Sequence, residues 1–279
     1  MTSYLIKNCI AVNEGKQIAT DILLKNQRIE KIAPNISVDY DVVEVDGTGL
    51  YALPGVIDDQ VHFREPGLTH KANIYTEAKA AIAGGVTSFM EMPNTNPPAF
   101  TQDLLEEKYN IAQQTSLANY SFYMGTSNDN YEEVMKTNAK KNDVCGVKIF
   151  MGSSTGNLLV DNPLILDKIF AGTELLIATH CENDPLIKQN QQEVIAKYGE
   201  DLPAYFHPII RNNEACFKSS SFAVELAKKF NTRLHILHIS TAKELSLFTN
   251  KIPLKDKRIT SEACIHHLWF SDEDYAKKG

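Results

Sequence analysis

The chain has 279 residues, 43% of them hydrophobic and 23% charged, with a formal net charge of −7. That apolar share over that length can build one large domain and part of another. The acidic balance, without any long basic run, excludes nucleic acid and an anionic membrane surface as expected partners.

Residues 4–50 read as short strands rich in Ile, Val and Leu: Tyr4–Val12, Ile18–Lys25, Arg28–Ile32 and Val42–Asp46. Turn-like pairs separate them at Glu14-Gly15 and Asn26-Gln27. From Tyr51 the pattern becomes strand then helix, repeated. The expected strands are Tyr51–His62, Val86–Pro93, Tyr120–Thr126, Gly146–Met151, Leu175–His180, Arg233–Ile239 and Arg258–Cys264. Between them, a helix over His70–Ala83 should stop at Gly84-Gly85, and Thr101 should cap a helix running to Gln114. Pro163 and Pro185 suit first helical turns after Asn162 and Asp184 as caps. Asn213–Phe230 and Thr241–Phe248, the latter behind Ser240, carry apolar residues at helical spacing.

Strands alternating with helices build a parallel sheet, and the expected fold is α/β, a (β/α)8 TIM-type barrel. Only seven strands are found, so the barrel is expected to be truncated before the eighth strand, with an incomplete N-terminal β unit. The expected domains are 1–50, part of a small β domain, and 51–279, the barrel. The cysteines Cys9, Cys145, Cys181, Cys216 and Cys264 are scattered and odd in number, which suits a reducing compartment rather than a disulfide framework. Without a leader-like N-terminus or a membrane-length apolar stretch, a cytoplasmic location is expected.

In such a barrel the chemistry sits at the C-terminal ends of the strands. Those ends offer His62 and Arg64, Asn94, Lys148, His180 and Glu182, His238, then Glu262, His266 and His267. One histidine beside a strand is ordinarily a hydrogen-bonded packing residue. Three of them, His62, His180 and His238, with a lysine at successive strand ends point instead to metal ligation. His235 falls three residues before His238 and reads as packing, His70 and His207 read as surface or capping residues, and His266-His267 stays open. Lys148 sits among apolar neighbours in Gly146–Gly152. An ammonium has donors only, so it cannot bind a metal, but burial favours the neutral amine, which can capture carbon dioxide as an anionic carbamate. The ordinary alternative is a buried ion pair. Arg64 and Asn94 suit a substrate carboxylate, through the guanidinium fork and a neutral amide donor, against the plainer roles of surface ion pair and turn residue.

Taken together, Leu53–Gly67, Gly84–Thr87, Met92–Thr95, Gly146–Gly152, Thr179–Glu182 and Leu234–Thr241 resemble dihydroorotase of the long bacterial type, within the hydantoinase and allantoinase branch of the amidohydrolase superfamily. The resemblance covers nearly the whole chain. It implies zinc-dependent, reversible hydrolysis of the cyclic amide of dihydroorotate to N-carbamoyl-aspartate in pyrimidine biosynthesis. A carbamate on Lys148 would bridge the metals, with His180 and His238 on one ion and His62 on the other, and Arg64 and Asn94 on the substrate carboxylate. The family's general acid/base is an aspartate after an eighth strand, so no catalytic acid/base is expected within this chain; it would lie beyond Gly279. The superfamily pattern Asp-x-His-x-His is here Asp58-Asp59-Gln60-Val61-His62. An amide oxygen is a weak neutral ligand, so Gln60 leaves one or two zinc ions as the expected complement, and Asp58 reads as support for the strand end. The alternatives are an allantoinase or hydantoinase, or a non-catalytic scaffold subunit of aspartate transcarbamoylase. Homo-oligomerisation is left open.

Overall fold

The computed structural model describes residues 2–152 and 156–278. The chain divides into two compact units, Met1–Val56 and Ile57–Gly279.

The first unit is a five-stranded sheet. Strands β1 (Tyr4–Asn13), β2 (Lys16–Lys25), β3 (Arg28–Ala33) and β4 (Val43–Asp46) lie in the order β3-β2-β1-β4, and β5 (Tyr51–Ala52) also pairs with β1. Its two hairpins turn at Glu14-Gly15 and Asn26-Gln27, all four residues having positive φ. That backbone matches the right-handed twist of the flanking strands. Leu5, Leu23 and Ile36 form a small core.

The second unit is built on seven parallel strands. They are β6 (Val56–Val61), β7 (Val86–Glu91), β8 (Asn119–Gly125), β9 (Gly146–Phe150), β10 (Ile177–His180), β11 (Leu234–Ile236) and β12 (Ile259–Ser261), hydrogen-bonded in chain order. Helices α1 (Ile74–Ala83), α2 (Gln102–Thr115), α3 (Tyr131–Lys136), α4 (Pro163–Gly172), α5 (Asp184–Tyr198), α6 (His207–Ile210) and α7 (Asn213–Phe230) fill the connections up to β11. The sheet curls. Its two edge strands are β6 and β12, yet Asp59 on β6 and Glu262, the residue after β12, lie within 4.8 Å of each other. The inner strands β9, β10 and β11 are buried on both faces, as central parallel strands are, whereas the edge strands β6 and β12 are not. Val147, Ile149, Ile177, Leu234 and Ile236 join the core that includes Ala223, Val224 and Ala227 of α7. The alternate residues form a row across the other face, in which Gly125 pairs with Lys148, Lys148 with Ala178, Ala178 with His235, and His235 with Thr260.

Several local expectations change. Tyr51–His62 is two strands, not one, because Leu53-Pro54-Gly55 interrupts it: proline has no N–H to give a ladder, and β5 joins the small sheet while β6 enters the large one. The first helix begins at Ile74, where Asn73 accepts from the Thr76 N–H at 2.9 Å in a capping box. Asn183, rather than Asp184, caps α5. Thr241–Phe248 holds only a 3₁₀ turn, Lys243–Leu247. There the buried Glu244 turns inward to the hydroxyls of Ser220 (2.5 Å) and Thr241 (2.7 Å). Thr101 and Asn162 cap their helices as read from the sequence.

A fully buried ion pair joins α2 to β7: Lys108 meets Glu91 and donates to the Met92 carbonyl at 2.8 Å. The backbone at Phe63 and Arg64 also favours the ionised Glu91 carboxylate, which places the pair against the chain where it leaves β6. Removing one partner of such a pair strands a charge in the interior. Lys108→Met is therefore expected to cost about 3–5 kcal/mol in denaturant unfolding, and a loss below about 1 kcal/mol would show the pair to be dispensable.

Candidate functional site

Lys148 is central to the candidate set. It lies mid-strand in β9 with 1% of its surface exposed. Gly125 and Ala178 flank it in the row and leave room for its long side chain. Its Nζ donates to the Ile149 carbonyl at 3.2 Å and stands 4.1 Å from the Phe150 ring centroid. Burial brings its pKa down to about 7, only partly opposed by Cys181 and Glu262. The amine is thus substantially neutral near neutral pH, as carbamate formation needs.

The three candidate histidines lie within the electrostatic reach of this amine, whose charge is among the causes that lower the pKa of each. Burial is the largest cause in every case, taking His62 to about 4 and His238 to about 3, and lowering His180 despite the Glu182 carboxylate beside it. All three are neutral imidazoles with lone pairs to offer. His180 Nδ1 and His238 Nε2 converge to 3.0 Å, with ring centroids 4.9 Å apart. Two neutral nitrogens meeting beside a buried lysine fit a borderline cation such as zinc. His180, His238 and Lys148 as a carbamate are the residues that could hold it, with His62 in reach of the same amine's field.

Each histidine has its own support. His180 ends β10, and its Nε2 lies 2.8 Å from Glu182 Oε2. Arg211 holds Glu182 through Nε at 2.8 Å and through Nη2. A carboxylate behind a ligating imidazole fixes its tautomer and orientation. A Cβ on Gly152 would come within 2.2 Å of the Glu182 carbonyl, so only glycine lets the exit of β9 pass this closely. His62 Nδ1 meets Asn94 Oδ1 at 2.7 Å. His238, two residues past β11, has a φ of 39°. That left-handed backbone is unfavourable for a bulky residue, and the Glu262 carboxylate holds it by accepting the His238 N–H at 3.1 Å.

Arg64 also has a left-handed backbone, with φ 69°. Its turn is fixed from two sides. Glu65 accepts the first N–H of α1 at 2.8 Å, and the Pro66 carbonyl accepts from Asn96 N at 3.1 Å. At Gly67 φ is +83° and a Cβ would meet the Asn96 carbonyl oxygen at 1.8 Å, so this glycine is required for the turns bearing Arg64 and Asn94 to pack together.

Sequence reasoning missed Asp59 and set His235 aside. His235 is 8% exposed, and its Nε2 lies 3.5 Å from both Asp59 Oδ2 and Glu262 Oε2. Burial and then the neighbouring Glu262 carboxylate raise Asp59 to about 6. Burial resists ionisation of Glu262, but His235 and Asp59 outweigh it and bring it down to about 2. The available signal was the row itself: His235, like Lys148, is one register step from Ala178. Gln60 turns toward the same seam, its Oε1 3.8 Å from Cys264 Sγ, while Asp58 accepts the Gln60 N–H at 3.1 Å. Cys264, His266 and His267 bring ligand atoms within 4.8 Å of one another at a more exposed position. Glu182, Arg211, Thr241, His266 and His267 line part of an open cleft of about 1210 Å³.

The model of the dihydro-orotase-like family matches residues 49–244. The chain belongs to that family. A dihydroorotase of Methanosarcina acetivorans is 29% identical over 98% of this chain and 58% of its own length. An allantoinase of Bacillus velezensis is 31% identical over 99% of the chain and 60% of its own length. The chain thus spans about three fifths of these relatives. Among solved structures, an L-hydantoinase of Arthrobacter aurescens superposes with a TM-score of 0.91 at 24% identity, over all of this chain and 62% of that one. This is a likeness of fold.

The Glu182 bridge gives a direct check on the centre. Glu182→Gln keeps the shape but removes the charge behind His180, and is expected to weaken zinc binding about 10–100-fold in a competitive chelator titration. Unchanged affinity would remove His180 from the metal-binding set.

Proposed function

We propose that this chain carries the metal centre and substrate grip of a cyclic amide hydrolase of the dihydroorotase type, acting on dihydroorotate and, in reverse, on N-carbamoyl-aspartate. The observation that carries the reading is the convergence of His180 Nδ1 and His238 Nε2 to 3.0 Å beside a buried lysine whose pKa is about 7. When bound, zinc supplies Lewis-acid polarisation of the ring carbonyl and an activated water. His180, His238 and carbamylated Lys148 would hold one ion, and His62 would face a second.

The remaining work falls to the chain's own groups. Arg211 and Glu182 keep His180 aimed, and Glu262 keeps His238 in its left-handed turn. With its amide oxygen on His62, Asn94 has its NH₂ group to give to a carboxylate. Arg64 offers the bidentate fork for the same carboxylate. Holding that group at one end of the ring fixes the scissile amide at the other, which is how positioning lowers the barrier. The carboxylate grip also separates the dihydroorotase reading from the allantoinase one, since allantoin has no carboxylate.

Calorimetry on zinc-loaded protein tests this. Dihydroorotate and N-carbamoyl-aspartate are expected to bind at least about tenfold tighter than allantoin, and Arg64→Met to weaken them by about 1.5–3 kcal/mol, the value of a charged hydrogen bond. Tighter binding of allantoin, or indifference to Arg64→Met, would overturn the dihydroorotate assignment.

A further inference from the structure

We propose that Asp59, His235 and Glu262 form a second kind of cation site, separate from the His180–His238 pair, which takes a divalent first-row metal and clips the two edge strands of the curled sheet together. Asp59 belongs to β6 and Glu262 follows β12, the opposite ends of the hydrogen-bonded order, while His235 comes from β11. Their ligand atoms all lie within 4.8 Å of one another.

The protons say what is missing. His235 Nδ1 lies 2.8 Å from Thr260 Oγ1, and that hydroxyl points at the Leu234 carbonyl at 3.5 Å. With the threonine proton on that carbonyl, the threonine oxygen takes the imidazole proton from Nδ1, the tautomer that offers the Nε2 lone pair to a cation. That Nε2 is buried, makes no hydrogen bond among the described residues, and faces two carboxylates at 3.5 Å each. Without a cation, protons on His235 and Asp59 serve the Glu262 carboxylate; a metal that displaces those protons meets three converging lone pairs.

A cation resolves this, and the spacing suits one. For ligands about 2.1 Å from zinc, a tetrahedral site has edges of about 3.4 Å, against the observed 3.5 Å. Two carboxylates balance a divalent charge, and one nitrogen with two oxygens favours a borderline ion such as zinc or manganese over an all-oxygen calcium site. Thr260 behind the imidazole fixes its ring as outer partners of metal ligands do. Asp59 is 41% exposed, which leaves an entry path and space for water as the fourth ligand. Glu262 spends its other oxygen on the His238 N–H, so a metal here also steadies the backbone of the neighbouring histidine.

Zinc stoichiometry after dialysis of metal-free protein, measured by elemental analysis, tests the assignment. The unchanged chain is expected to hold one equivalent more than Asp59→Asn. Lys148→Met, chosen to keep the buried volume, should retain that equivalent, and its thermal midpoint should rise by about 5 °C at a hundredfold excess of zinc over Kd. The double variant should lose the rise, with circular dichroism confirming folding. Equal zinc content in the unchanged chain and Asp59→Asn would overturn the proposal. So would the absence of any zinc-dependent shift in folded Lys148→Met. Failure of the Lys148 centre alone leaves the Asp59 equivalent in place, so the two readings fail separately.

Discussion

The structure turns on the burial of Lys148. An ammonium with 1% exposure, donating to the neutral Ile149 carbonyl, is costly to keep charged. Desolvation brings its pKa to about 7. The same dry, crowded interior keeps His62, His180 and His238 neutral. A lysine that would be a cation in water, and three histidines that would be partly so, are thereby turned toward ligand chemistry. The sheet makes this possible because small neighbours, Gly125 and Ala178, flank the lysine in its row, and because apolar residues on the other face of the same strands secure them to the helices.

Around that interior, acidic and amide groups hold the pieces in position. Glu182 serves His180, Asn94 serves His62, Glu262 serves the His238 backbone, and Glu91 serves the turn at Phe63 and Arg64. Two of the candidate residues, Arg64 and His238, sit in left-handed backbone. Such conformations persist only where the surroundings over-determine them, and here carboxylates, a required glycine and adjacent loops do so. Removing a support is thus a way to disturb the arrangement without touching the candidate residue it holds.

Much of this was legible in the sequence, for physical reasons. Parallel strands declare themselves by short apolar runs between capped helices, and strand ends are where polar groups gather, so Lys148, His180 and His238 could be named as candidates from position alone. Proline and glycine at Leu53-Pro54-Gly55 should have split the first strand, but the apolar run on both sides masked it. His235 was set aside because a three-residue spacing puts it on the face opposite His238 in a regular strand; the left-handed residue at His238 breaks that parity. Asp59 was hidden for a related reason. Alternation on one strand says nothing about which residues of the far edge it meets, and the meeting with Glu262 exists only once the sheet curls.

That curl also recasts Gln60. Its amide faces Cys264 across the seam while Asp59 beside it meets His235 and Glu262. The most direct measurement of the whole account is anomalous diffraction at the zinc edge from zinc-loaded crystals grown with bicarbonate. The account requires a zinc peak within bonding distance of His180 Nδ1 and His238 Nε2, with density for two further oxygens beyond Lys148 Nζ. An unmodified Lys148 amine, with zinc found only away from these two imidazoles, would contradict it.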